Sequence, residues 1–467
     1  MAAVLAAPLT LQTGLPLQDP LNWWLYMSET ASTELLPGTL PLVDSHYLRE
    51  SGSLSTSLAR PAGLILAKSS APGRGEGAAG FYATGTVTGE ILYADENVET
   101  RTGTTGRLFV DIAQDLFLDE RVSVWAGSDE NPPHYFSPFH RGNEEGRHFY
   151  VDWGYLRWNG SPVSVQFGRL PQVWGPGRFT QLLISDNSPP LDMLKLNVSL
   201  FEDRLNFTGF TSTIDSDSGT YLVAHRLDIL PLENLRIGLS ETILFKSEGL
   251  DFAYMNPVVP WYPIQWNERE DDNAFIAIDA TWKPFAGFET YGELLIDDMQ
   301  YQTQYDRPNK LSLTAGLSGY LRSIGTGGVL EYSRVDRYVY SQRRKCNYYL
   351  HHGEIIGSGL GPDSDRITFS AGTSAAWPVL AEVTLDHIRR GEGTVQEGWP
   401  DSVTTGGKFP SGTVEHTTGA RLHMGFYPTD FLEVHAAVSK DWVRNTNHVS
   451  GETSSDVSAF LQATFKW

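Results

Sequence analysis

The sequence predicts an all-β fold: a closed antiparallel transmembrane β-barrel of about 18 strands, preceded by a short N-terminal periplasmic segment. Three observations predict it. The chain ends in an alternating stretch in which Val457, Ala459, Leu461, Ala463, Phe465 and Trp467 share one face. Ser458, Gln462, Thr464 and Lys466 share the other, and only Phe460 breaks the pattern. Successive strand side chains point to opposite faces, so one face of this stretch suits lipid and the other water. Tight and long connectors also alternate along the chain, as the two ends of an outer-membrane barrel require. Finally, no apolar run approaches the ~18 residues that a spanning helix needs.

Composition narrows the classes. The chain has 467 residues, 40% of them hydrophobic, with a mean hydropathy of −0.26, which excludes a helical membrane protein but not a barrel. Its 13 Trp and 20 Tyr suit two interfacial girdles. The formal charge of −21 argues against a nucleic-acid partner, since phosphate binding needs a basic face. It implies an acidic, solvated lumen and acidic outer loops. Cys346 is the single cysteine, so neither an internal disulfide nor a Cys-based zinc site can form. Residues 1–8 are rich in small residues and lack a basic region; they read as the tail of a signal or the start of a processed chain.

Two regions follow in order. Residues 1–76 carry Pro8, Pro16, Pro20, Pro37, Pro41 and Pro61, with short helical stretches near 19–33 and 44–57. This segment precedes the first strand, so it is expected in the periplasm, across or within the barrel mouth. Residues 77–467 form the barrel. Its strands are expected near 78–94, 106–117, 120–127, 147–158, 161–171, 192–200, 203–214, 219–230, 234–248, 273–283, 287–298, 309–322, 327–342, 364–376, 379–390, 413–426, 431–442 and 456–467. Tight turns are expected at 118–120, 159–161, 201–203, 231–234, 284–287, 323–326, 377–378 and 427–430, most of them rich in Gly, Pro, Asn or Asp. Long loops are expected at 95–105, 128–146, 172–191, 249–272, 299–308, 343–363, 391–412 and 443–455, with a shorter one at 215–218. Strand 273–283 sets Ile276, Ile278, Ala280 and Trp282 against Asp279 and Thr281, and 364–376 sets Ile367, Phe369 and Ala371 against Arg366, Thr368 and Ser370. In 234–248, Glu241 falls on the apolar parity, and a bulge is expected to turn it inward.

Three loop stretches are candidates for binding. Residues 168–192 place Trp174 and Arg178 around a Gly175-Pro176-Gly177 turn, followed by Asp186 and Asn187. An aromatic face beside planar polar groups suits sugar, which offers C–H faces and hydroxyls. Residues 254–267 gather Trp261, Tyr262 and Trp266 in one loop, costly to expose unless they pack or bind. Residues 357–365 end in Asp363 and Asp365, an Asp-x-Asp that is a candidate for Ca²⁺ together with loop carbonyls. The adjacent His351 and His352 do not suit one ion. Glu289, Glu293 and Asp297 on one strand face read as a solvated acidic wall. Catalysis finds no support: Asp386 and His387 are neighbours on opposite faces, and Gly73-Arg74-Gly75 is not a phosphate loop.

Together these stretches resemble the Wzi capsule-assembly family of outer-membrane proteins. The resemblance runs through 168–192, Gly238-Leu239-Ser240-Glu241 with Tyr254, Asn256 and Pro257, then Asp272, Asn273 and Asp279 with Tyr291, Glu293, Asp297 and Asp298, and finally 357–365 with Arg389, Arg390 and Gly391. It implies an eighteen-stranded, non-enzymatic outer-membrane lectin that helps attach or organise capsular polysaccharide. Better-known members carry an N-terminal helical bundle, a pattern that Pro-interrupted 1–76 does not match.

The expectation is therefore a barrel in the outer membrane of a Gram-negative bacterium, N-terminus in the periplasm, without cofactor. Its in-folded outer loops would bind an extracellular polysaccharide through Trp174, Arg178, Asp186, Asn187, Trp261, Tyr262, Trp266, Asp363 and Asp365. Membrane lipid and other cell-surface proteins are the further expected partners. The rivals are a porin-like channel for small solutes and a structural component of a larger surface assembly.

Overall fold

The computed structural model describes residues 39–40, 80–94, 97–113, 115–127, 147–248, 251, 253–256, 259–268, 272–299, 308–321, 323–376, 378–398 and 407–467. Eighteen antiparallel strands form one closed barrel. In chain order they are β1 Gly80–Ala94, β2 Asn97–Ala113, β3 Leu116–Gly127, β4 Arg147–Asn159, β5 Val163–Leu170, β6 Leu191–Leu200, β7 Leu205–Asp215, β8 Thr220–Leu232 and β9 Leu235–Lys246. There follow β10 Asn273–Phe285, β11 Phe288–Asp298, β12 Lys310–Leu321, β13 Thr326–Val335, β14 Ser364–Thr373, β15 Val379–Arg390, β16 Glu415–Thr429, β17 Leu432–Arg444 and β18 Thr453–Lys466. Each strand pairs with the next, and β18 closes on β1 through Phe465 against Val87 and Leu461 against Ile91. Closure leaves no unpaired edge, which a strand in lipid could not satisfy with water.

The two faces divide as the alternation requires. Phe369, Leu385, Leu422, Val438 and Leu461 lie exposed on the outer wall. Lumen-facing hydroxyls pair across strands, as in Thr88 with Thr464 at 3.0 Å and Ser439 with Ser458 at 2.8 Å. Trp158, Trp282, Phe285 and Trp467 are exposed on the outer wall near the short turns, where girdle aromatics belong.

Four expectations are corrected. Residues 95–105 are not a long loop, because β1 runs to Ala94 and β2 begins at Asn97. The stretch is polar because Glu99 and Arg101 take the lumen parity while Thr100, Thr102 and Thr104, β-branched and suited to strands, take the outer one. Residues 118–120 are not a turn but lie inside β3; the chain reverses before it, with Asp115 at φ +67°. Asp119 points into the lumen and accepts from Arg107 Nε at 2.9 Å, Trp153 Nε1 at 3.1 Å and the Tyr155 hydroxyl at 3.1 Å. The strand expected to reach 342 stops at Val335, since Tyr338 and Tyr340 adopt φ +71° and +68° and turn the chain out of the sheet. No bulge occurs at Glu241: pairing with β8 and β10 is continuous through it, so its side chain stays on the outer wall.

The expectation for 1–76 falls outside the described residues, except that Thr39–Leu40 pairs with Val173–Trp174.

Candidate functional site

Two loops, 171–190 and 336–363, turn into the barrel. Trp174, Leu182, Leu183, Ile184, Tyr340, Tyr349 and Ile356 form one buried cluster with the lumen-facing Phe210, Leu222, Leu244, Phe275 and Leu295. A lumen wall that carries Phe and Leu needs an apolar filling, and the loops supply it.

Carboxylates on the strand wall hold this plug in place. Glu289, Glu293 and Asp297 stand four residues apart on one face of β11, spanning roughly 27 Å of strand. At the short-turn end Glu289 pairs with the Arg178 guanidinium. Midway, Glu293 accepts from the amides of Leu182 at 3.2 Å and Leu183 at 3.3 Å. At the long-loop end Asp297 accepts from the Tyr340 amide at 2.8 Å and pairs with Lys310 at 2.6 Å. Glu331 on β13 takes the amides of Arg178 at 2.6 Å and Phe179 at 3.2 Å, and the Tyr291 hydroxyl at 2.8 Å. The solvated-wall expectation for these acids is therefore corrected: they are buried, and each satisfies loop donors that burial would otherwise leave unpaired. Gly175, at φ +105°, has to be glycine for a second reason, since a Cβ there would sit 2.5 Å from Glu293 Oε2.

The third aromatic loop goes the other way. A short helix, α1 Trp261–Glu268, packs on the outer wall, where Trp261 and Tyr254 bury Val223, Ile243, Phe245 and Ala274. The expectation that this loop would fold inward is corrected, and Glu241 is the reason. Its carboxylate accepts from the Trp261 amide at 2.9 Å and the Tyr262 amide at 2.7 Å, capping the helix, and it lies 3.1 Å from His225 Nε2. The Trp261 ring stacks on His225 with centroids 4.1 Å apart.

The residues singled out from the sequence therefore do not converge on one site. Trp174 is fully buried, edge-on to Phe210, and Arg178 lies deep in the lumen. Trp261 is covered, Tyr262 is half-buried beside it, and the Trp266 side chain lies outside the described residues. Asp363 takes the Gly393 and Ser411 amides, both at 3.0 Å, while Asp365 pairs with Arg389 at 2.9 Å on the outer wall. Those two carboxylates point apart and are already occupied. Asn187 donates to the Ile355 carbonyl at 2.8 Å, tying the two plug loops together.

Asp186 differs from the others. Its Oδ2 is buried and has no hydrogen-bond partner, and burial pushes the carboxyl up to about 7. An unfolded Asp ionises near ~4. The folded plug therefore binds more protons between those values, and its stability falls as pH rises through that window. Hydrogen exchange of plug amides, corrected for intrinsic rate, should accelerate from pH 5 to pH 7.5, and Asp186→Asn should remove part of that dependence.

Sequence reading missed an exposed, charged feature of the plug. At its long-loop end Arg343, Arg344 and Lys345 form an exposed basic turn beside the half-buried Tyr348. The turn is held from below: Asn347 is buried, its carbonyl takes Asn273 Nδ2 at 2.8 Å, and Tyr348 donates to the Gln396 carbonyl at 3.1 Å. Arg337 joins this surface and bonds Glu397 at 2.9 Å. A local excess of Arg and Lys in a chain of charge −21 was the available signal.

The family model described as capsule assembly protein Wzi matches residues 68–457. The chain belongs to the Wzi capsule-assembly family. A solved structure of Wzi from Escherichia coli, described as an outer-membrane, carbohydrate-binding β-barrel involved in group 1 capsule assembly, is similar at 14% identity and a TM-score of 0.63, covering 95% of this chain and 97% of that one. Two Pseudomonas aeruginosa structures, OprD and OccK1, share the fold at 10% identity and a TM-score of 0.50; each covers 83% of this chain, and they are themselves covered over 95% and 98%. No curated protein matches the sequence. A closed barrel with an apolar outer wall, in the Wzi family, belongs to the outer membrane of a Gram-negative cell. The stretches that carry the Wzi resemblance are fastening points here. Residues 168–192 are the plug, Glu241 caps the outer helix, and Tyr254 donates to Asp272 at 2.8 Å. Glu293 and Asp297 hold the plug, and Asp363 ties the rim.

Proposed function

We propose that this barrel holds an acidic extracellular polysaccharide at the cell surface, without catalysis, through the basic turn on its plug. The observation that carries this reading is the exposed Arg343-Arg344-Lys345 turn with Tyr348, fixed on a lumen-filling plug of a capsule-assembly protein. Guanidinium groups match carboxylates in a planar, bidentate way, and an aromatic face beside them receives sugar C–H groups. A preformed platform loses little entropy on binding. The Wzi structure of Escherichia coli, described as carbohydrate binding, supports the same reading by its similarity. In this arrangement the long-loop end faces outward and both termini of the barrel lie on the periplasmic side, as short turns and long loops are normally distributed. Of the residues first singled out, Asn187 stays partly exposed in the same plug, and Asp186 lies beside it with its Oδ2 buried.

Calorimetric titration of the folded, detergent-solubilised chain with an acidic capsular polysaccharide should give saturable heat. Arg344→Ala combined with Lys345→Ala should weaken binding roughly tenfold or more, the loss of about two charge-assisted contacts. A neutral polysaccharide that binds equally well would overturn the proposal.

A further inference from the structure

The outer wall carries a second site that the plug does not explain. Cross-strand register lines up Arg334, Asp365, Arg389, His416, Arg444 and Thr453 as one row across β13 to β18. The next row down reads Tyr332, Ile367, His387, Thr418, Trp442 and Ser455. Their parity is that of Leu330, Phe369, Leu385, Leu422, Val438 and Leu461, all exposed on the outer wall, so both rows face away from the lumen.

This patch inverts the charge of the chain. Arg334 bonds Asp336 at 2.7 Å and Arg389 bonds Asp365 at 2.9 Å. Beyond those pairs stand Arg444, exposed, and Lys440, whose ammonium lies over the Trp442 ring at 5.5 Å. Four cations thus face two carboxylates, with His387 and His416 between them. A groove of about 590 Å³ opens among His387, His416, Thr418, Trp442, Arg444 and Ser455.

Its depth identifies what it meets. From Val434 to Arg444 the strand rises roughly 33 Å, or about 25 Å along the barrel axis at the usual tilt, which is the height of the apolar band in such barrels. The cationic row therefore lies where acyl chains give way to head groups, with Trp442 at the boundary and Val438, Leu461 and Leu422 below. A soluble polymer would approach from above, whereas this groove opens sideways onto lipid.

The geometry points to a binding site for the phosphorylated head group of an outer-leaflet glycolipid, a phosphate held at Arg444 in the groove, Lys440 standing over the Trp442 ring toward the apolar wall, and the acyl chains against that wall beneath. The assignment rests on the outward orientation taken under the proposed function. Phosphate groups accept charge-assisted hydrogen bonds from such cations, and neighbouring hydroxyls of Thr418 and Ser455 suit the sugar of the head group.

The test is native mass spectrometry of the full chain in detergent with bis-phosphorylated lipid A and with the same lipid after removal of its phosphates. The phosphorylated form should be retained roughly tenfold better. Arg444→Gln with Lys440→Gln should fall to the dephosphorylated level, and Arg444→Lys with Lys440→Arg should keep most of the preference. Heat-modifiable mobility on electrophoresis reports folding of each variant. Equal retention of the two lipids, or an unchanged preference in the double Gln variant, would overturn the assignment, as would displacement of the lipid by soluble acidic polysaccharide. Polysaccharide titration of the same double Gln variant should match the unsubstituted chain. A chain that fails to bind polysaccharide yet keeps the lipid preference would sink the proposed function and leave this site standing.

Discussion

Replacing residues 175–186 and 339–356 each by a short Gly-Ser linker is expected to turn a silent barrel into an ion-conducting, cation-selective one. The strands that flank both loops pair with each other, Arg169 with Asp192 and Val335 with Ser364, so the wall survives the loss of its filling. What goes is Leu182, Leu183, Ile184, Tyr340, Tyr349 and Ile356 from the apolar cluster, together with Arg178, which pairs with Glu289. What stays is a wall bearing Glu293 and Glu331, now facing water and drawing cations, beside Glu289 and Asp297, which keep Lys283 at 3.7 Å and Lys310 at 2.6 Å. In planar bilayers the unsubstituted chain should remain at baseline, and the double-loop variant should give stable steps with a reversal potential shifted toward that of the cation. A folded variant that stays silent, or that prefers anions, would show that these loops and acids do not play the parts assigned to them.

Glu241→Ala is expected to release α1 from the barrel. Glu241 is a carboxylate on a wall otherwise meant for lipid, and it persists because two helix amides and His225 surround it. Without it those donors lose their acceptor, and the cover over Val223 and Ile243 loses its fastening. Removing a hydrogen-bonded charged partner costs about 1.5–3 kcal/mol. That approaches the whole stability of a one-helix flap. Chymotrypsin should cut the variant within 259–268 much faster than the parent, and hydrogen exchange across α1 should rise at least tenfold, while the strands stay protected. Glu241→Gln, which keeps one acceptor, should fall between. Unchanged protection of the helix would rule out the cap.

The barrel was legible because alternation is a strong constraint when one face meets lipid. Ile276, Ile278 and Trp282 against Asp279 and Thr281, and the closing strand to Trp467, all face as their parity requires. Polarity is a poor guide to loops where it lies inside a strand. Glu99 to Thr105 are polar inside a strand, and Asp119 resembles a turn residue but serves as a lumen acceptor. Glu241 was noticed as a defect of pattern; that it is a helix cap depends on a residue twenty positions away, which alternation does not encode. The binding surface was the least legible part. Trp174 and Trp261 suit sugar by composition, yet both rings are buried, because large aromatics near an apolar wall pack before they bind. The basic turn at 343–345 carries no aromatic spacing or motif and gains meaning only once the plug beneath it is known.

Cys346 gives the most direct test of the whole account. It is the sole cysteine of the sequence and sits, half-buried, within the basic turn. A membrane-impermeant maleimide applied to intact cells should label it, and prior addition of acidic capsular polysaccharide, but not of a neutral one, should slow that labelling. Labelling that appears only after the outer membrane is breached, or that proceeds at one rate with and without the acidic polymer, would contradict the outward-facing polysaccharide platform.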